Sequence, residues 1–389
     1  NMAAGSSILY IDGVSGAANI SALSVAGLTP GGMTGFFNFS GSGYSEYVMK
    51  GIDLTLNNTS DSNLNSSTYS NIQFLQSSVT VNNGVTVAGT QAGQVAIAQK
   101  NAVGGTVSGI NITNNGTISL TGSGTTAIAG DFITMKNTAT GSINLGAGSV
   151  GMYTANGSIA VNEGAIELGT GSVGMYGRND FGSTAAAYGD RKINIENQKD
   201  IKTVSSGVTG DAFGIYANNA LTLTDSLVNL TSASNIDLKG TGTIIGAYLK
   251  KTDLTSAGII KVESLGGTSV GIYGDESTAT SITGSIDISG GAGTGIYLKN
   301  SSMSSGASIN VDNVTSGIGI YVEASAGNSA SGTNTSTISL GDNVTGMYAL
   351  GVSAANTGTV TNTGTIQSQA ASADKAIGMY IGNHGIGNN

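Results

Sequence analysis

The sequence predicts an all-β fold, a right-handed parallel β-helix (β-solenoid) of roughly 15 coils. Three observations carry this expectation. A tripeptide, Gly-(Met/Ile/Ala)-Tyr, recurs nine times in one reading frame. A second element, Gly/Ser-x-(Ile/Val)-x-(Leu/Val/Ile), stands upstream of most copies. Glycine supplies 62 of 389 residues and proline 1, so turn formers are abundant and almost nothing interrupts strand pairing.

The tripeptide stands at Gly151-Met152-Tyr153, Gly174-Met175-Tyr176, Gly214-Ile215-Tyr216, Gly246-Ala247-Tyr248, Gly271-Ile272-Tyr273, Gly295-Ile296-Tyr297, Gly319-Ile320-Tyr321, Gly346-Met347-Tyr348 and Gly378-Met379-Tyr380. Counted Tyr to Tyr, the spacings are 23, 40, 32, 25, 24, 24, 27 and 32 residues. Two worn copies precede them, Val95-Ala96-Ile97-Ala98 and Ala127-Ile128-Ala129. Nine copies in one frame are a structural repeat, not an accident of composition.

The second element appears as Gly116-Thr117-Ile118-Ser119-Leu120, Gly141-Ser142-Ile143-Asn144-Leu145 and Gly164-Ala165-Ile166-Glu167-Leu168, and later as Gly284-Ser285-Ile286-Asp287-Ile288, Ala307-Ser308-Ile309-Asn310-Val311 and Ser336-Thr337-Ile338-Ser339-Leu340. Apolar and polar residues alternate with the period of a strand. Two or three short strands per 23–27 residues match one coil of a solenoid. One coil is too thin to bury its own apolar face, and stacking coils about 4.8 Å apart merges those faces into a core. Right-handedness follows from the general preference of parallel crossovers.

Period two also assigns faces. The residue before each Tyr is Met, Ile or Ala, and the residue after it is apolar in six copies. The residue three before is often apolar too: Val150, Val173, Phe213, Ile245, Val270, Ile318 and Ile377. These positions are expected to share the core face, which puts Gly and Tyr together outside. The tyrosines then form an external stack, each ring leaning over a neighbouring glycine; buried rings would overturn this.

Residues 91–389 read as the regular β-helix. Residues 1–90 read as the same solenoid with irregular coils and a projecting loop, a separate cap being the alternative; this stretch holds Pro30 and the cluster Phe36, Phe37, Phe39, Tyr44 and Tyr47. The 40-residue gap between Tyr176 and Tyr216 marks an insertion loop at about 177–202. The loop mixes charge and aromatics, with Arg178, Asp180, Phe181, Tyr188, Arg191 and Lys192, and insertions in repeat proteins often carry binding faces. Smaller excursions are expected near Lys250-Lys251-Thr252-Asp253 and between Glu323 and Thr335. Neither end shows a leader or a closing signal, so both are expected to be cuts through a longer chain.

Composition excludes several classes. Collagen needs glycine at every third position and abundant proline. With 39% apolar residues the chain is not a charge-driven disordered one. Without cysteine there is no disulfide framework, cysteine nucleophile or thiolate metal site. No apolar run is long enough for a membrane-spanning helix. A formal net charge of -9 argues against nucleic acid as a partner.

Apparent chemical motifs dissolve into the repeat. Gly146–Gly151 and Gly169–Gly174 match G-x-G-x-x-G, but 23 residues apart and with no helix to open. Gly267-Thr268-Ser269-Val270-Gly271 matches G-x-S-x-G, yet the one histidine, His384, lies about four coils away, near 20 Å at about 4.8 Å per coil. Gly290-Gly291-Ala292-Gly293 lacks the aspartate of a calcium nonapeptide. Asp237, Asp287, Asp312 and Asp342 fall in similar positions of separate coils and could line up on one face, as could Asn144 and Asn310, all pointing to solvent. Stacked carboxylates about 5 Å apart repel, which suits solvation or a cation better than catalysis. A glycan-cleaving β-helix enzyme is the enzymatic alternative, but the expectation is no catalytic, cofactor-binding or metal site.

The Asn-x-Gly-x-Ile phrases (Asn114-Asn115-Gly116-Thr117-Ile118, Asn362-Thr363-Gly364-Thr365-Ile366), followed by (Ser-Val/Ala-Ile)-Gly-Met-Tyr, resemble the large fusobacterial type V autotransporter adhesins. The resemblance covers roughly residues 90–389. It implies a secreted passenger on the bacterial surface, held by an outer-membrane barrel outside this segment. It also implies attachment to host cell-surface proteins or glycans and to other bacteria, without membrane insertion by this segment. No family motif fixes binding residues. The candidates from the residues themselves are the insertion loop and the outward Tyr273, Tyr297 and Tyr321. A passive stalk that displays a distal module is the alternative.

Overall fold

A computed structural model of the chain contains strands and no helix among its described residues, which are 10–12, 47–50, 54–56, 71–75, 78–100, 110–179, 192–219, 226–369 and 374–389. The pairings between coils are parallel, as a β-helix requires. The chain divides into two units, Asn1–Ile195 and Glu196–Asn389. Each is a parallel β-helix with three strand faces per coil, named here for their diagnostic residues.

In the first unit the Ile face stacks Thr86–Gly89, Thr117–Leu120, Ser142–Leu145 and Ala165–Leu168. The Tyr face stacks Val95–Lys100, Thr126–Asp131, Val150–Ala155 and Ser172–Asn179. The Asn face stacks Val79–Val81, Asn111–Asn114, Thr134–Asn137 and Ile159–Asn162. Ile118, Ile143 and Ile166 lie in register on one face and Ile97, Ile128, Met152 and Met175 on the next, all buried. The worn copies therefore belong to the repeat: Ile97 and Ile128 occupy the methionine position. Each such side chain removed from water contributes roughly 1.5–3 kcal/mol.

The second unit repeats the scheme. Its Ile face aligns Ile201, Ile236, Ile260, Ile286, Ile309 and Ile338. Its Tyr face aligns Ile215, Ala247, Ile272, Ile296, Ile320 and Met347. Two strands, Ile259–Asp275 and Ser285–Lys299, run unbroken from the first face into the second. The chain leaves the Tyr face through a tight corner with a left-handed residue three positions after the tyrosine: Lys251 (φ 48), Glu276 (φ 51) and Asn300 (φ 52), with Asn156 (φ 51) its counterpart in the first unit. The excursion expected at Lys250-Lys251-Thr252-Asp253 is this corner, and the strand Asp253–Ser256 follows it at once. The excursion expected after Glu323 contains the strand Ala330–Asn334.

Strict alternation fails at the tripeptide, which corrects two assignments. The run Val150–Ala155 reads intermediate, buried, buried, intermediate, buried, buried, so Gly151 and Met152 both point inward. A Cβ on Gly151 would meet Cγ2 of Ile166 at 3.1 Å and the carbonyl oxygen of Gly174 at 2.5 Å. The glycine is thus an inward residue without a side chain, not an outer partner for the ring. The phase slip turns the residue three before Tyr outward. Val150, Val173, Phe213 and Ile318 are half-buried and Ile377 is exposed, whereas Ile245 and Val270 retain only 8% and 7% accessibility.

The Asn face holds a buried polar column. Asn114 Nδ2 donates to Asn137 Oδ1, and Asn137 Nδ2 to Asn162 Oδ1, each at 2.8 Å, with all three side chains inaccessible. In the second unit Asn334 donates to Asn362 and Asn362 to Asn389, again at 2.8 Å. A buried amide is tolerable because its neighbours above and below satisfy it.

Candidate tyrosine ladder and flanking charged rows

Tyr lies outside because the residues before and after it are claimed by the core. In Ile244–Lys250, Ala247 and Leu249 are inaccessible and Tyr248 is half-buried. Parallel in-register pairing then sets Tyr216, Tyr248, Tyr273, Tyr297, Tyr321, Tyr348 and Tyr380 in one row. Their ring centroids lie 4.5, 5.0, 4.8, 4.7, 5.0 and 4.9 Å apart in that order. The first four rings are nearly parallel, with interplanar angles of 7°, 10° and 5°. Tyr321 is tilted by 48° from Tyr297 and 50° from Tyr348. In the first unit Tyr153 and Tyr176 meet edge to face at 5.3 Å.

The outward ladder expected for Tyr273, Tyr297 and Tyr321 is present, but its chemistry differs from that of isolated exposed aromatics. Stacked rings cover one another's faces, so solvent meets ring edges and hydroxyls. Burial among neighbours pushes the Tyr321 phenol up to about 12, helped by the charge of Glu323 and by Tyr348. The phenols of Tyr248, Tyr273 and Tyr297 are raised as well, burial again being the largest cause. Tyr297 additionally donates its hydroxyl to Glu323 Oε2, which holds the phenol neutral.

Two rows flank the rings. On one side stand Ile245, Val270, Thr294, Ile318 and Thr345, in register; beyond them a shallow cleft is lined by Thr268, Ala292, Gly293, Ser316, Gly317 and Asn343. On the other side charge alternates: Lys250, Asp275, Lys299, Glu323. Lys250 Nζ lies 4.0 Å from Asp275 Oδ2, and one residue on, Lys251 Nζ lies 3.5 Å from Glu276 Oε2.

The Ile face carries a similar row, Lys202, Asp237, Lys261, Asp287, Asn310, with Lys239 and Glu263 beside it at 3.0 Å. The expected alignment of carboxylates is corrected here. Asp237 and Asp287 share a row but Lys261 separates them. Asp312 follows Val311 at the corner, and Asp342 follows Gly341 beyond its strand, so neither belongs to that row. A cleft runs past Asp237, Lys261, Glu263, Asp287, Asn310 and Asp312, cation and carboxylates interleaved.

Of the insertion-loop candidates, Arg178 sits exposed near the end of the strand Ser172–Asn179, and Lys192 lies two residues before the strand Asn194–Asn197. Asp180, Phe181, Tyr188 and Arg191 lie outside the described residues, as does the segment around Pro30 and Phe36. The segment 177–202 is therefore strand at both ends. Among the described residues, no group of three or more His, Asp or Glu side chains is placed to hold a metal ion, and no helix is long and apolar enough to cross a membrane.

Comparison with family models, with curated proteins and with solved structures finds no match.

Proposed function

We propose that this chain is an adhesive β-helical segment of a bacterial surface protein, an autotransporter passenger, whose outward tyrosine ladder and charged rows contact protein or glycan on host cells and other bacteria. One observation carries the reading. The core fixes the residues on either side of each tyrosine but not the tyrosine itself, because the equivalent outward positions on the Ile face are filled by Asp, Lys, Asn and Ser. Seven aromatic side chains at an outward position are area offered to a partner, at little entropic cost since the stack already restrains them. The Asn-x-Gly-x-Ile and Gly-Met-Tyr phrases support the passenger assignment.

The second reading, a passive stalk, is favoured by the same rings covering one another: stacking of about 0.5–1.5 kcal/mol per pair is itself a reason for the row. The test is binding of the purified chain to host cells and to bacteria, alongside a triple variant, Tyr273→Thr, Tyr297→Thr and Tyr321→Thr, shown by circular dichroism to keep its strands. Adhesion by the parent and loss in the variant support the ladder as the contact surface. Equal adhesion by both moves the surface elsewhere, and no adhesion by the parent leaves the stalk.

A further inference from the structure

The tyrosine stack has a second chemical consequence, independent of adhesion. The chain contains no Cys and no Trp, so its tyrosines are the side chains most open to one-electron oxidation. Among the described residues, Met135, Met152, Met175, Met303 and Met347, which would compete as oxidation targets, are buried in the core, and Met379, on the last Tyr-face strand, is half-buried. A phenol gives up an electron easily only if its proton leaves too. Tyr297 has an acceptor in place, since its hydroxyl donates to the Glu323 carboxylate. Its ring lies 4.8 Å from that of Tyr273, 5° from parallel, on the directly paired strand.

We propose that Tyr273 and Tyr297 form an oxidative cross-linking site, at which a one-electron oxidant joins adjacent coils through a dityrosine bond, with Glu323 as proton acceptor for Tyr297. Each phenol loses one electron to the oxidant and one proton, that of Tyr297 going to Glu323 and that of Tyr273 to solvent. The two neutral phenoxyl radicals combine, forming one C–C bond between the ring carbons ortho to the hydroxyls. The hydrogens on those carbons move to the oxygens and restore both phenols. The net change is two electrons to two equivalents of oxidant and two protons released.

In-register pairing makes this site intramolecular. The near-parallel set Tyr216, Tyr248, Tyr273 and Tyr297 brings further rings within 5.0 Å of a neighbour, so an oxidising equivalent created on any of them can migrate by exchange between adjacent rings. Glu323 makes Tyr297 the place where it comes to rest. The bond would add a covalent tie between two coils already joined by the strand ladder and the core.

The experiment uses the full chain with photogenerated tris-bipyridyl ruthenium(III) as oxidant and persulfate as the terminal acceptor. The expected result is dityrosine fluorescence whose yield per chain does not depend on protein concentration. Peptide mass spectrometry should show the segments holding Tyr273 and Tyr297 joined and lighter by two hydrogens. Tyr297→Phe keeps the stack and removes the phenol; it should lower the yield several-fold. Glu323→Gln keeps a hydrogen-bond acceptor but removes the base, and should slow formation of the bond. Cross-linking that rises with concentration and joins separate chains overturns the proposal, as does an unchanged yield in Tyr297→Phe. An unchanged rate in Glu323→Gln overturns the role given to that carboxylate.

Discussion

Gly319 and Ile338 occupy one space in adjacent coils: a Cβ on Gly319 would lie 2.6 Å from Ile338 Cγ2 and 2.5 Å from the carbonyl oxygen of Gly346. The relationship recurs as Gly214 with Ile236, Gly246 with Ile260, Gly271 with Ile286, Gly295 with Ile309 and Gly346 with Ile366. The two sequence motifs are thus one packing device, in which the isoleucine of one coil fills the place left by the glycine of the coil before. Gly319→Ala should destabilise by about 1–3 kcal/mol, the range for overpacking a filled core. Gly378→Ala is the control, because a Cβ there meets nothing within 4 Å. Urea unfolding followed by circular dichroism would compare them; equal losses would refute the device.

The asparagine column predicts a different kind of loss. Asn137→Ala would take from Asn114 Nδ2 the shorter of its two acceptors, leaving the Ser142 carbonyl at 3.3 Å, and would remove the amide that donates to Asn162 Oδ1; Asn114 and Asn162 are both inaccessible to water. Each hydrogen bond lost from the column costs about 0.5–1.5 kcal/mol. The second unit places Leu230 in register with Ser256 at this position, so an apolar residue is tolerable there when its neighbours do not depend on it. Asn137→Ala combined with changes of Asn114 and Asn162 to apolar residues should therefore cost less than three times the single change. Denaturant midpoints of the single and triple variants test this, and strict additivity would go against a coupled column.

This contrast marks what could be read from the sequence. The repeat, the parallel coils, the inward Met/Ile/Ala and the outward Tyr were legible because each is marked by a side chain of definite polarity recurring at a fixed offset. The phase slip at Gly151-Met152 was not, since glycine has no side chain to declare a face and period two ran through it unbroken. The buried amides were hidden because asparagine among Gly, Ser and Thr reads as a turn former, and only the register of Asn114 on Asn137 gives it an inward partner. The same holds for charge. Asp237 and Asp287 look like a stack of acids until pairing inserts Lys261 between them. Tyr297 and Glu323, 26 residues apart, become neighbours only through the coil.

Alternating charge should act on register. Lys299 stands between Asp275 and Glu323 in the row beside the tyrosines. Lys299→Glu would set three carboxylates about 5 Å apart along the coils. Repulsion between directly paired like charges costs roughly 0.2–1 kcal/mol per contact at an exposed edge, and salt screens it. The expected result is a lower thermal midpoint that recovers most of its loss between low and high ionic strength. Lys299→Gln, which removes attraction without adding repulsion, should move less. A deficit in Lys299→Glu that does not respond to salt would mean the row has no electrostatic role.

The raised phenols predict the alkaline limit of the second unit. Tyr321 has its folded value pushed up to about 12 from an ordinary value of 10.0, and those of Tyr248, Tyr273 and Tyr297 are displaced in the same direction, chiefly by burial in the stack. A group whose folded value is raised binds its proton more tightly folded than unfolded. Its contribution is complete below the unfolded value and declines as pH rises through the folded one. Stability due to the ladder should therefore be level up to about pH 10 and fall between about 10 and 12. Ionisation followed by tyrosinate absorbance should lag behind that of the urea-unfolded chain over the same window. Tyr297→Phe removes one displaced phenol while keeping its ring, so it should make the alkaline decline shallower. A chain whose tyrosines titrate alike folded and unfolded would show that the stack does not shield its hydroxyls.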